Sequence, residues 1–222
     1  MKNNILVIVA HPDDEVLGMG GTILKLSEKN EINVLFLSSG EGSRDTKPRK
    51  EERKKQAKRV ANNLNIKNIF FDDFPDNQFD SIPLLSVVKK IEKIIYELKS
   101  NIIYTHNPKD LNIDHQVTFQ SVLTACRPQP NFFVKKILAF ETLSSTEWQQ
   151  KNLGNIFCPN EYVNIEETID KKIDILKIYQ KEIRDFPHPR SKKGVRILSQ
   201  YRGMEVGYKN AEAFQIIRNL ND

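Results

Sequence analysis

Residues 5–21 read ILVIVAHPDDEVLGMGG, an apolar run that ends in a histidine, a proline and three consecutive acids. ILVIVA (5–10) has the length and β-branched content of a strand buried on both faces, and from about Asp14 to Lys29 a helical pattern follows. Asp13, Asp14 and Glu15 repel one another, and no cationic side chain follows them until Lys25. Acids at a strand-to-helix turn cap the helix and favour the positive end of its dipole. Capping leaves His11 without a role, and equally His115 on a second exit loop. A cation among the acids accounts for both.

Working outward, strand-like runs alternate with longer helical patterns. INVLFLSS (32–39) precedes a glycine-bearing loop and a basic helix reaching about Leu64; NIFFDD (68–73) precedes the helical run 84–100. NIIYTH (101–106) precedes NPKDLNIDH and a helix from about Gln116 to Cys126, and VKKILAFET (134–142) is a further strand. EYVNI (161–165) reads as a strand, 166–185 and 194–209 as helices, and AEAFQII (211–217) as a last edge strand. This alternation predicts an α/β fold, a mainly parallel sheet flanked by helices in three α/β/α layers, with residues 1–222 forming one domain.

Composition bounds the rest. With 39% hydrophobic and 28% charged residues, the 222-residue chain has the profile of a soluble globular protein. No apolar run approaches the ~20 residues of a membrane helix, and ILVIVA is too short for a secretory segment, so a cytoplasmic protein without a membrane partner is expected. The two cysteines, Cys126 and Cys158, make neither a disulfide framework nor a thiolate zinc site. Much of the +5 formal charge lies in KPRKEERKKQAKR (47–59), read as a solvated helix rather than a nucleic-acid footprint.

Ligands of parallel sheets bind beyond the carboxyl ends of the strands. His11, Asp13 and Asp14 follow the first strand, and Glu41 and Arg44 the second. Asp110, Asn112, Asp114 and His115 follow NIIYTH, and Ser144, Ser145, Glu147 and Trp148 follow ILAFET. The polar chemistry collects on one rim. His11 and Asp14 are three residues apart, and with His115 they give two imidazoles and a carboxylate, the composition of a catalytic zinc site with water in its open position. Asp13 then stands beside the ion as a base for that water. Gly18, Gly20 and Gly21 do not match a dinucleotide-binding loop and are read as allowing close helix–sheet packing.

AHPDDEVLGMGGTI, THNPKDLNIDH, FETLSSTEW and HPRS…RGMEVGYKNAEAF together resemble the PIG-L/LmbE-like family of zinc-dependent N-acetylglucosaminyl de-N-acetylases. The resemblance implies a Rossmann-like fold, Zn2+ on His11, Asp14 and His115, and Asp13 as general base. Other first-row divalent metals suit the same ligands. It further implies removal of acetyl from a small N-acetylated amino sugar. A deformylase or deacylase of another small amide, or a metal-binding homologue impaired in catalysis, remains open.

One position departs from the family pattern. Where branches of the family carry a leading histidine in H-x-D-H, this chain has Asn112, which donates a hydrogen bond but delivers no proton. His188 is the candidate replacement, from its own chain or from a neighbouring subunit of a homo-oligomer. Asp114 is assigned to orienting a neighbouring catalytic group or to capping its helix. Arg44, Arg53, Asp110 and Arg190 are candidate substrate contacts, and Trp148 stacks on a sugar ring or fills the core.

Overall fold

The computed structural model describes residues 2–40, 50–129, 134–150 and 156–221. Among the described residues seven strands form one sheet: β1 (Asn4–Val9), β2 (Glu31–Phe36), β3 (Asn68–Phe71), β4 (Ile102–His106), β5 (Lys136–Phe140), β6 (Glu161–Asn164) and β7 (Ala211–Asn219), in the order β3-β2-β1-β4-β5-β7-β6. The first five pair in parallel, and β7 runs antiparallel to both β5 and β6. The α/β reading holds. Successive side chains of β1 point to opposite faces: Ile5, Val7 and Val9 enter one core, while Leu6, Ile8 and Ala10 enter the other.

Helices cover both faces. α1 (Asp14–Leu26), α2 (Lys50–Asn63), α5 (Ile169–Leu176) and α6 (Lys192–Met204) lie over the first core, and α3 (Leu84–Leu98) and α4 (Ile113–Ala125) over the second. Strand order reverses between β1 and β4, since β2 lies on one side of β1 and β4 on the other. A crevice opens at such a point. The opposite, amino-terminal end of the sheet is tied by asparagines: Asn68 Nδ2 donates to Asn33 Oδ1, and Asn33 Nδ2 to Asn4 Oδ1.

Three sequence expectations are corrected. AEAFQII is not an edge strand, because β7 is hydrogen-bonded on both sides and the short β6 takes the edge. The helix expected over 166–185 is confined to Ile169–Leu176; beyond it the chain tightens into turns such as Tyr179 N–H to Leu176 O, which carry Tyr179 inward. The helix expected from Gln116 begins at Ile113, because the Asn112 side chain accepts from Asp114 N–H at 2.8 Å and caps it. His115 therefore sits in a first helical turn, not on a loop.

The glycines of α1 serve close packing. A methyl group on Gly18 would lie 2.2 Å from the Phe140 ring, and one on Gly21 2.9 Å from Ile165. The helix also breaks at Met19 (φ −149°), where buried side chains repair its hydrogen bonds. Glu212 on β7 accepts from Gly21 and Thr22 N–H, while Lys172, 2.6 Å from Glu212, donates to Leu17 O. Gly18→Ala should lower stability by about 1–3 kcal/mol through overpacking on Phe140, read as a fall in melting temperature; an unchanged melting temperature contradicts the packing argument.

Candidate metal centre

The crevice beside β1 holds the residues read as ligands. β1 delivers His11, the following turn delivers Asp14 as the first residue of α1, and the first turn of α4 brings His115. His11 Nδ1 and His115 Nε2 each lie 3.4 Å from Asp14 Oδ2, which also accepts from His11 N–H at 2.9 Å. Asp14 Oδ1 and His115 Nε2 are buried and make no hydrogen bond. Buried polar atoms rarely go unsatisfied without reason. One ligand atom from each of His11, Asp14 and His115 falls within 4.8 Å of the others, so the three could hold a single ion. Two imidazole nitrogens and a carboxylate oxygen suit a divalent transition metal.

Each imidazole is aimed from behind by a carboxylate. His11 Nε2 lies 2.8 Å from Asp114 Oδ2 and 3.0 Å from Asp76 Oδ1; His115 Nδ1 lies 2.9 Å from Asp110 Oδ2. Such partners fix the tautomer and turn the other ring nitrogen toward the ion. Asp114 is itself held by Asn77 and Phe79 N–H, and Asp110 accepts from the Thr146 hydroxyl. His106, closing β4, stacks on His115 at 3.8 Å between ring centroids. Its Nε2 is also 3.4 Å from Asp14 but accepts the Ala10 N–H, so that nitrogen has no lone pair to offer an ion.

Burial opposes charge on His11, but Asp114, Asp14 and Asp76 outweigh it and hold the pKa well above the ordinary value. His115 is likewise penalised by burial, yet Asp14 and Asp110 raise it to about 9. Burial favours a neutral Asp14, and His115 and His106 overcome that to hold its pKa well below the usual range.

Asp13 stands beside the ligands in a backbone conformation foreign to a side-chain-bearing residue, φ 122° and ψ −28°. Strain of this kind persists only where the surroundings impose it. Its Oδ2 accepts from Arg190 Nη1 at 2.8 Å, and Arg53 Nη2 lies 3.9 Å from its Oδ1. Glu182 shares both cations, at 3.1 Å from Arg190 and 3.4 Å from Arg53. Burial pushes the Asp13 carboxyl up to about 7, with Arg190 pulling against it and Asp14 adding to the rise.

The other expected site residues are distributed unevenly. Asp110, expected to touch substrate, is fully buried behind His115, with both oxygens engaged. Asp114 is equally sealed and reaches the site only through His11. Asn112 spends its side-chain oxygen on the α4 cap. Arg53 and Arg190 turn inward to the Asp13 peptide and carboxylate. His188 Nδ1 accepts the Arg190 N–H, and the half-exposed Trp148 meets the His188 ring edge-on at 5.7 Å, so Trp148 is no core residue. Arg44 and Glu41 lie outside the described residues.

Sequence reasoning passed over His106, Asp76, Tyr179 and Glu182, and read Glu15 only as one of three acids at the strand-to-helix turn. His106 had a signal, since it ends the NIIYTH strand on the same rim. Tyr179 and Glu182 had none, for their role arises where the chain turns inward after α5.

A family model described as GlcNAc-PI de-N-acetylase, PIG-L, matches residues 6–126, the span that carries all three candidate ligand positions. The chain belongs to this family. It is 26% identical over 195 residues to the probable N-acetyl-alpha-D-glucosaminyl L-malate deacetylase 2 of Bacillus cereus, covering 82% of this chain and 84% of the relative. It is 25% identical to the diacetylchitobiose deacetylase of Thermococcus kodakarensis, covering 97% and 84%. Among solved structures, the N,N'-diacetylchitobiose deacetylase of Pyrococcus horikoshii superposes with a TM-score of 0.77 at 21% identity, covering 96% of this chain and 83% of that one. The 4-carboxy-2-hydroxymuconate hydratase GalB of Pseudomonas putida gives 0.78 at 17%, covering 100% and 98%. These structural likenesses show the fold.

The raised histidine pKa values have a measurable consequence. A divalent ion binds neutral imidazole, so at neutral pH it must displace protons from His11 and His115. Zn2+ affinity, measured by chelator competition, should therefore strengthen as pH rises from about 6 toward about 9. A pH-independent affinity contradicts the ligand assignment.

Proposed function

We propose that this protein is a zinc-dependent hydrolase that removes the N-acetyl group from a small GlcNAc-type amino sugar. The observation that carries the reading is the convergence of His11, Asp14 and His115, with the next residue in the chain, Asp13, keeping a second carboxylate buried on Arg190. Membership of a de-N-acetylase family and the names of the two bacterial and archaeal relatives support acetyl as the group removed and an amino sugar as its carrier. The family span, 6–126, includes every one of these residues.

His11, Asp14 and His115 would hold the ion, which would supply Lewis acidity to polarise the amide carbonyl and acidify the attacking water. Asp13 takes the proton from the attacking water. Its carboxyl, lifted to about 7, is basic enough to accept that proton near neutrality and acidic enough to give it up again. The same group then protonates the departing nitrogen, so acetate and a free amino sugar leave. Arg190 fixes the carboxylate through its 2.8 Å contact, and Glu182 offsets the cation's pull on it.

His188 Nδ1 accepts the Arg190 N–H, so the proton of the neutral ring sits on Nε2, and the reading gives His188 the role of donor to the developing oxyanion. The exposed face of Trp148 offers the sugar ring a stacking surface at the rim.

Asp13→Ala should retain one bound metal while amine release from N-acetylglucosamine derivatives falls by about 100-fold or more, as loss of an acid–base group does. Full turnover by this variant contradicts the base assignment. Formate release from N-formyl analogues, without acetate release from N-acetyl ones, overturns the substrate assignment.

A further inference from the structure

The peptide unit joining Pro12 to Asp13 is gripped at both ends by side chains, one partly and one wholly buried. Its carbonyl accepts from Arg53 Nη2 at 2.8 Å, and its N–H donates to Glu15 Oε2 at 2.9 Å. Glu15 uses its other oxygen to accept from the Tyr179 hydroxyl at 2.7 Å, and the Arg53 guanidinium lies 5.3 Å from the centre of the Tyr179 ring. Glu15 and Tyr179 are completely buried. The dihedral set by this peptide plane is the φ of Asp13, 122°. Beyond Asp13, its carbonyl accepts from Val16 and Leu17 N–H, which fixes ψ.

The arrangement inverts ordinary helix capping. Asp13 occupies the N-cap position of α1, where an aspartate normally spends its carboxylate on the amides of the first turn. Here its side chain makes no capping bond. Glu15, the second residue of the helix, reaches back to the Asp13 N–H instead, much as the acid of a capping box does. The Asp13 carboxylate is thereby released from capping and turned toward Arg190. A carboxylate in the first turn of an exposed helix satisfies the dipole without burial, so burial of Glu15 calls for a further reason.

We propose that Glu15, braced by Tyr179, is a positioning residue for the reaction: it clamps the Pro12–Asp13 peptide and so holds the Asp13 carboxylate where it meets the attacking water. The inference rests on the reading of Asp13 as base. Glu15 touches neither ion nor substrate and acts only through Asp13.

Its test compares Glu15→Ala, Glu15→Gln, Asp13→Ala and the Asp13→Ala/Glu15→Ala double variant in amine release, with metal content and Asp13 amide exchange measured alongside. Glu15→Ala should bind metal stoichiometrically, keep KM within about twofold and lose about 100-fold in kcat, the scale set by misplacing a reacting group. Glu15→Gln should restore most of that loss, because its amide oxygen still accepts from Asp13 N–H while its NH2 donates to the Tyr179 oxygen. In the Asp13→Ala background, Glu15→Ala should change the residual rate less than about twofold. Exchange of the Asp13 amide should quicken at least about tenfold in Glu15→Ala while that of β1 amides stays fixed.

Full turnover by Asp13→Ala overturns the base assignment and the inference with it. With Asp13→Ala inactive, wild-type kcat in Glu15→Ala overturns the inference alone. So do losses that multiply in the double variant, or exchange that quickens equally along β1, both marks of a merely structural residue. Should Glu15→Ala fail to fold, Tyr179→Phe removes the brace and carries the same test, with a loss of about tenfold expected and unchanged kcat overturning it.

Discussion

Asp14 is a carboxylate sealed from solvent, with a ring nitrogen of His11, His106 and His115 each 3.4 Å from its Oδ2. A buried charge so placed is costly unless it is paired, and the architecture around it is arranged to keep it paired. β1 and β4 adjoin where the strand order reverses, so the turns leaving them meet at the crevice. Carboxylates stand behind His11 and His115 in turn, and backbone amides stand behind Asp114. Each layer fixes the one in front of it.

The neighbouring Asp13 is governed by different forces. Its backbone is strained, its carboxyl is raised by burial, and two arginines and Glu182 surround it. The proposed ligand and the proposed base are therefore adjacent in sequence but belong to separate networks. Asp14 belongs with the histidines of β1, β4 and α4; Asp13 belongs with Arg53 on α2, Arg190 before α6 and, through Glu15, Tyr179 after α5. The proposed division of labour follows from that separation: one carboxylate held ionised by imidazoles, the other held near neutrality by burial.

What could be read from the sequence was what is local. A buried strand, a tight turn and a helix are encoded within residues 5–21, and the ligand spacing His11–Asp14 comes with them. His115 was legible because a second strand ends nearby. The errors came where pairing is decided by distant partners. AEAFQII carries the pattern of a strand but not its place in the sheet, and the inward turns after Leu176 depend on Tyr179 finding Glu15, over 160 residues earlier. Asp110 looked like a substrate contact because it sits on an exit loop, yet its loop folds it behind His115. That Arg53 and Arg190 meet Asp13 is likewise decided by elements far apart in the chain.

The central claim is that two imidazoles and one carboxylate share a single ion. X-ray absorption on the zinc-loaded protein addresses it without reference to substrate. The account predicts a shell of nitrogen and oxygen neighbours at about 2.0–2.1 Å, with outer-shell scattering from two imidazole rings and no sulfur. A shell lacking imidazole scattering, or one with sulfur at about 2.3 Å, would contradict it.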